Sequence, residues 1–389
     1  MTINIEHHEQ ALAQYLQRRS SVAEKVARTL LDNFPYRYGQ TVALNAAAAL
    51  SSMPSPIPTT QVPPIENNQP YAIVGIDSGY VIPTKENPVR YTLIKTYAFA
   101  HPLRDQFPEE IIQAIKAVES KTLFTQAEHT LSETAINNIR AIQELNTATK
   151  TINILRNAGY TPVVFIDGPL FPVHWVNASS LPDEAYLAIE NLLKSLLEHD
   201  AIVIAYVDNP AFTTLVQTFR SAFPTTEDEQ AILDDLRDSD LLHVLAPPNH
   251  VTPPFIPEWR INSWLNHMGF FPTFAYLTLE SPRSPNLIFA RIECLVPYER
   301  LHTFFIDKPV VALTLSQIKL YGDYPFVLTV AHEHASVHRT ETQYFDQVIY
   351  SIASRYSPTN FPYHPKSRMK MSIFRNHNTI ASAWYRRRQ

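Results

Sequence analysis

The sequence predicts an α/β fold, on three observations. Short apolar runs of strand length recur at 71–77, 161–167 and 201–207. Longer stretches with helical spacing of apolar residues lie between them. Turn-forming residues separate the two kinds of segment, as where Gly159 precedes the run at 161 or where Asp-Ser-Gly and Asp-Gly close the first two runs. Strands that alternate with helices bury their apolar faces by layering helices on a sheet.

The elements follow in order. Residues 8–34 carry Leu12, Tyr15, Leu16, Val22, Val26, Leu30 and Leu31 at helical spacing, which predicts an N-terminal helical extension within 1–50 that packs on the body or on another subunit. From 51 to 70 the composition shifts to Pro, Ser, Thr and Asn, with prolines at 54, 56, 58, 63, 64 and 70, and this reads as an extended linker. The core opens with the strand ending at Asp77, and after a turn containing Pro83 and Pro88 a second strand is expected over 91–100. A long helix is expected over 132–158, with Ser132 as N-cap and Gly159 as its stop. The strand to Asp167, a helix over 183–198, the strand over 201–207 and a further helical stretch come next. Residues 221–264 read as loop-rich, and their acidic stretch (Glu227, Asp228, Glu229, Asp234, Asp235, Asp238, Asp240) as solvated surface. A strand pair over 273–279 and 286–296 and an amphipathic helix over 340–356 complete the body, which spans 71–360. The tail, 361–389, carries Lys366, Arg368, Lys370, Arg375, Arg386, Arg387 and Arg388 without an acid, a charge pattern suited either to a phosphate backbone or to plain solvation.

Composition narrows the function. A chain of 389 residues with 45% hydrophobic and 18% charged residues can bury a sizeable core. No apolar stretch approaches the roughly 18 residues of a membrane span, and the opening residues lack a basic region followed by an apolar one, so a cytoplasmic location with no membrane partner is expected. The single cysteine, Cys294, excludes an internal disulfide and a multi-cysteine zinc site, and it is expected to be buried. A net charge of −5 argues against a protein that coats nucleic acid over its whole surface.

Only seven glycines occur, and four adjoin acids or aromatics that could do chemistry: Gly75 and Gly79 around Asp77, Gly168 after Asp167, Gly322 before Tyr324. Two aspartates at strand ends beside glycine can present carboxylates at one sheet edge, where hard cations such as Mg²⁺ and Mn²⁺ bind oxygen ligands. Equally, each aspartate could start a turn. Glu144 lies one helical turn beyond Arg140, which fits a surface ion pair as well as a ligand. Glu128 and Glu133 are further available acids, and Asp208 follows another apolar strand. In His332-Glu-His334-Ala-Ser-Val-His338 the H-E-x-x-H zinc spacing is absent, although His334 and His338 could share a helix face. Arg291 and Glu293 read as a pair at the edge of the core.

The ordered strings V-G-I-D-S-G around Asp77, R-A-I-Q-E-L around Glu144, V-V-F-I-D-G-P-L around Asp167, A-R-I-E-C around Glu293 and G-D-Y-P-F-V-L-T-V-A-H ending at His332 resemble the NurA nucleases over about 70–355. The resemblance implies an RNase H-like mixed sheet flanked by helices, and a homodimer that cuts DNA with Mn²⁺ or Mg²⁺, as two ions, beside a HerA-like hexameric ATPase in DNA-end resection and repair. It further implies that Asp77, Glu144 and Asp167 hold the metal and that Tyr324 and His332 complete the catalytic set. One departure shows: the family usually reads D-G-S where this chain reads Asp77-Ser78-Gly79. Two other functions fit the same scaffold, a noncatalytic docking partner for a DNA translocase and a phosphodiesterase for a small nucleotide.

Overall fold

The computed structural model describes residues 5–33, 47–49, 57–62, 65, 70–82, 91–103, 108–116, 119–124, 132–252, 254–257, 259–300 and 309–356. The basic tail, Glu128 and the turn with Pro83 and Pro88 lie outside these residues. The chain starts with helix α1 (Ile5–Asn33) and two short strands, β1 (Ala47–Ala49) and β2 (Ile57–Pro58). Part of the proline-rich stretch is therefore held in place: β2 pairs antiparallel with β8 (His250–Val251).

A five-strand core follows. β3 (Tyr71–Val81), β4 (Tyr91–Pro102) and β5 (Glu119–Phe124) form an antiparallel meander, with α2 (Glu109–Ile115) between the last two. The long helix α3 (Glu133–Asn157) then crosses to β6 (Thr161–Asp167), which pairs parallel with β3. Ser132 caps α3 by accepting from the Ala135 amide, and Gly159 stops it at a φ of 85°, a conformation glycine adopts freely. After α4 (Val173–Val176) and α5 (Asp183–His199), β7 (Ile202–Asp208) pairs parallel with β6. The order β5-β4-β3-β6-β7, antiparallel on one side of β3 and parallel on the other, is the RNase H-like mixed sheet.

The sheet then continues antiparallel. Helices α6 (Thr214–Ala222), α7 (Glu227–Leu233) and α8 (Asp238–Leu245) lead through β8 to β9 (Phe255–Pro257), α9 (Asn262–His267), β10 (Phe270–Glu280) and β11 (Leu287–Pro297). β11 pairs with β7, β10, β9 and β1 continue the sheet, and with β8 on β10 and β2 on β8 it has eleven strands among the described residues. Helices α10 (Val310–Tyr321), α11 (Phe326–Ala335) and α12 (Arg339–Tyr356) complete the described residues.

Side chains on a strand alternate between faces, and β3 shows what that does here. Ala72, Val74 and Ile76 pack with α3 and α5 residues such as Leu145, Ile152 and Leu192. Tyr71 and Ile73 pack on the other face with Leu313, Val327 and Leu328 of α10 and α11. Burying both faces of the central strands explains why their sequences are continuous apolar runs rather than alternating ones.

The acidic stretch departs from expectation in part: Glu227, Asp228, Asp234 and Asp235 are exposed, the other three are not. It is not simply solvated: α7 carries a Thr226/Glu229 capping box, and three of the acids hold α1. Arg19 pairs with Asp240 at 2.6 Å, Lys25 with Glu229 at 2.5 Å, and the Tyr15 hydroxyl donates to Asp235. Beneath these pairs Ala23, Val26, Ala27 and Leu30 are buried against Leu215, Phe219, Leu241 and Leu245. Asp238 is fully buried, accepting from the Leu215 and Val216 amides at 2.9 and 3.2 Å and from the Tyr276 hydroxyl at 2.5 Å. The helical extension thus packs on the body through its second half, while Leu12 and Leu16 remain exposed.

Candidate active site

The site stands where β3 and β6 lie side by side. Their parallel register runs to Ile76 opposite Ile166, so Asp77 and Asp167 come next in line on adjacent strands. Asp167 ends β6, as the apolar run suggests. Asp77 does not end its strand: β3 continues to Val81, because pairing with β4 persists through Gly79–Lys95 and Val81–Leu93. The Asp77 carboxylate is consequently buried, 7% exposed, whereas that of Asp167 is 25% exposed.

Helix α11 crosses directly over β3, and the two glycines make that approach possible. A Cβ at position 75 would lie 2.2 Å from the Val327 carbonyl oxygen, and one at 79 would lie 2.5 Å from that of Ala335. Only hydrogen fits at either place. Between those two contacts His332 hangs over the strand, its Nδ1 2.8 Å from Asp77 Oδ2 and 3.9 Å from Asp167 Oδ2. A carboxylate only accepts, so Nδ1 carries the hydrogen and, in neutral imidazole, Nε2 is left as an acceptor on a side chain that is 64% exposed.

Tyr324 reaches the site from the turn between α10 and α11. Gly322 ends α10 at a φ of 117°, a backbone state suited to glycine, and Pro325 starts α11. The Tyr324 hydroxyl donates to Asp167 Oδ1, and its ring packs edge-on against Tyr206 at 5.1 Å. Burial pushes the Asp167 carboxyl up, the nearby Asp77 adds to this, and the Tyr324 hydrogen bond and His332 oppose it.

Glu144 comes from the other face of the sheet. It lies on α3, and its carboxylate accepts from the hydroxyl of Ser78, the β3 neighbour of Asp77 whose side chain points towards α3. Arg140, one turn earlier, donates through Nε to Ser78 Oγ at 3.0 Å and through Nη2 to the Ser78 carbonyl. Its Nη2 lies 3.9 Å from Asp77 Oδ1 and 3.8 Å from Glu144 Oε1. Burial pushes Glu144 up to about 8, against the pull of Arg140 and Ser78. The five residues named from the sequence come together at this centre, but they are not equivalent. Asp77, Asp167 and His332 each offer a ligand atom, all within 4.8 Å of one another, and Glu144 is outside that group.

Ser78 and Arg140 are the residues that sequence reasoning passed over as site members. Their signal was adjacency: one follows Asp77, the other precedes Glu144 by a turn. The remaining candidates stand elsewhere. Asp208 is exposed at the end of β7, and Glu133 lies in the exposed first turn of α3. Glu293 and Arg291 are not at the edge of the core but inside it, paired at 2.7 Å and 1% and 0% exposed, with the guanidinium between the rings of Phe212 and Phe274. Cys294 is buried beside them. His334 and His338 share no helix face, since α11 ends at Ala335 and α12 begins at Arg339. No helix among the described residues is long and apolar enough to cross a membrane.

An RNase H-like sheet in which two carboxylates and an imidazole that could hold a metal ion converge where the parallel pairing of β3 and β6 ends defines a class of protein with a carboxylate-lined site. The NurA domain model matches residues 71–337, and the chain belongs to the NurA family. Comparison with curated proteins gives no match. Among solved structures, the chain is similar to Ciona intestinalis endonuclease V in complex with a 23mer DNA containing an inosine followed by a ribo-adenosine, with 9% identity and a TM-score of 0.26 over 86% of this chain and 98% of that one. It is also similar to the C-terminal lobe of a budding yeast Argonaute (10%, TM-score 0.31, 78% of this chain and 52% of that) and to Drosophila Piwi (11%, TM-score 0.26, 70% and 30%). The chain thus spans about half of the Argonaute lobe and under a third of Piwi.

Proposed function

We propose that this protein is a metal-dependent nuclease that hydrolyses phosphodiester bonds of DNA, with Asp77 and Asp167 as ligands of Mn²⁺ or Mg²⁺. The observation that carries this reading is the convergence of Asp77, Asp167 and His332 within 4.8 Å on the sheet of a NurA-family chain. The donor set fits a hard divalent cation: carboxylate oxygens predominate, and the one nitrogen is already hydrogen-bonded to a carboxylate. Such an ion would polarise the phosphate and lower the pKa of an attacking water.

The residues of the chain divide the remaining work. Asp77 and Asp167 are held by opposite neighbours, one by the His332 imidazole and the other by the Tyr324 hydroxyl, so both carboxylates are oriented before any substrate arrives. In this reading His332, 64% exposed with Nδ1 hydrogen-bonded to Asp77, uses Nε2 to take a proton from the attacking water, and Asp77 stabilises the imidazolium that results. Glu144, behind Ser78, adds a third carboxylate. Two ions, as the family resemblance implies, would need Glu144 as a ligand of the second.

The direct test is cleavage of end-labelled single- and double-stranded DNA by the full chain with Mn²⁺. Wild type should cut and Asp77→Ala should not; no cutting by wild type, or undiminished cutting by the variant, refutes the reading. Family membership supports two finer proposals, action in DNA-end resection beside a HerA-like hexameric ATPase and assembly as a homodimer. Exposed Leu12 and Leu16 on α1 are suited to the dimer contact; a monomeric mass in light scattering at micromolar concentration would remove it.

A further inference from the structure

A guanidinium stands inside the acidic centre. Nη2 of Arg140 lies within 4 Å of both Asp77 Oδ1 and Glu144 Oε1, two of the carboxylates that would hold a second ion. The group is fixed rather than swinging: Nε and Nη2 are both hydrogen-bonded to Ser78, and Cζ lies 5.5 Å over the ring of Tyr80. Among the described residues, no acceptor meets Nη1.

Charge counting points the same way. Asp77, Asp167 and Glu144 bring three negative charges when ionised, and one divalent ion together with Arg140 balances them. In the substrate-free centre a second ion would add two positive charges to a balanced site and would stand against a permanently charged guanidinium. Arg140 also offers what a second ion supplies in phosphoryl chemistry, a positive charge aimed at the oxygens where negative charge develops. Its flat donor array suits phosphate oxygens.

We propose that Arg140 takes the place of a second metal ion: the centre binds one divalent ion, and Nη1 of Arg140 meets a non-bridging oxygen of the scissile phosphodiester. The proposal rests on the nuclease reading, but its test separates the two. Calorimetric titration of the full chain with Mn²⁺ should give one ion per chain in wild type and in Arg140→Lys. With DNA, Arg140→Gln should lower kcat about 10²- to 10³-fold with a smaller change in KM, and Arg140→Lys should recover part of the loss. Two ions per chain, with the second lost in Glu144→Gln, would overturn this inference and leave the nuclease reading standing, as would full cleavage by a folded Arg140→Gln. No bound Mn²⁺ at all would overturn both. Thermal melting checks that Arg140→Gln folds; should it not, the wild-type stoichiometry and the Arg140→Lys kinetics still decide.

Discussion

Gly75→Ala is the sharpest probe of how the site is assembled. The added Cβ would meet the Val327 carbonyl oxygen at 2.2 Å where about 3.4 Å is ordinary, so α11 must recede by roughly 1.2 Å. Neither partner can yield by changing rotamer, because both are backbone. The same displacement carries His332 Nδ1 from 2.8 Å to about 4 Å from Asp77, beyond hydrogen-bond reach. Overpacking of this kind costs about 1–3 kcal/mol, and a misplacement near 1 Å costs on the order of 100-fold in rate. Melting and Mn²⁺-dependent cleavage should therefore fall together. Gly159→Ala is the control: at its φ of 85° alanine is strained, yet nothing lies within 4 Å, so stability should drop by about 1–3 kcal/mol while the cleavage rate holds. A Gly75→Ala protein with unchanged Tm and unchanged cleavage would refute the claim that glycine sets the height of α11 above Asp77.

Three further outcomes are expected. Tyr324→Phe removes the hydroxyl that orients Asp167 and, as a hydrogen bond to a charged group worth about 1.5–3 kcal/mol, should slow cleavage roughly 10- to 100-fold without loss of fold; a rate within a factor of two of wild type would contradict this. Glu144 is raised to about 8 in the folded chain from an ordinary 4.5, so between those values the folded state holds the extra proton, and metal-free stability should fall as pH rises, by at most about 1.4 kcal/mol per pH unit. Denaturant unfolding across pH 5–8 should show that slope in wild type and a flatter one in Glu144→Gln. Glu293→Ala strands the buried Arg291 guanidinium and should cost about 3–5 kcal/mol in urea unfolding with Mn²⁺ affinity unchanged; a cost below 1 kcal/mol would mean the pair is dispensable.

The sequence showed where the carboxylates lie but not which way they face. Apolar runs located Asp77 and Asp167, since strands buried on both faces must be apolar throughout. Where β3 ends was not legible, because Ser78, Gly79 and Tyr80 break the apolar pattern while their backbones keep pairing with β4. The acidic stretch was legible only in part: Glu227, Asp228, Asp234 and Asp235 are exposed as local charge density suggests, but Arg19 and Lys25, the partners of Asp240 and Glu229, are about 200 residues away on α1. Helices α10 and α11, which carry Tyr324 and His332, have no strong two-sided pattern, being apolar around much of their circumference where they press on the sheet.

The swapped order Asp77-Ser78-Gly79 shows how closely side-chain alternation governs this centre. Consecutive residues of β3 face opposite layers, so Asp77 meets α11 and Ser78 meets α3. A serine at 78 places its hydroxyl between Arg140 and Glu144, coupling both to the strand that carries Asp77. A glycine there would leave Arg140 only the backbone carbonyl, and Glu144 would lose its donor. Position 79 tolerates no such side chain, because any Cβ would meet the Ala335 carbonyl oxygen at 2.5 Å and lift the end of α11. The order Asp77-Ser78-Gly79 thus fits the site for a geometric reason. In this chain the hydroxyl is needed on the α3 side and bare backbone on the α11 side, and strand alternation assigns those requirements to 78 and 79 in that order.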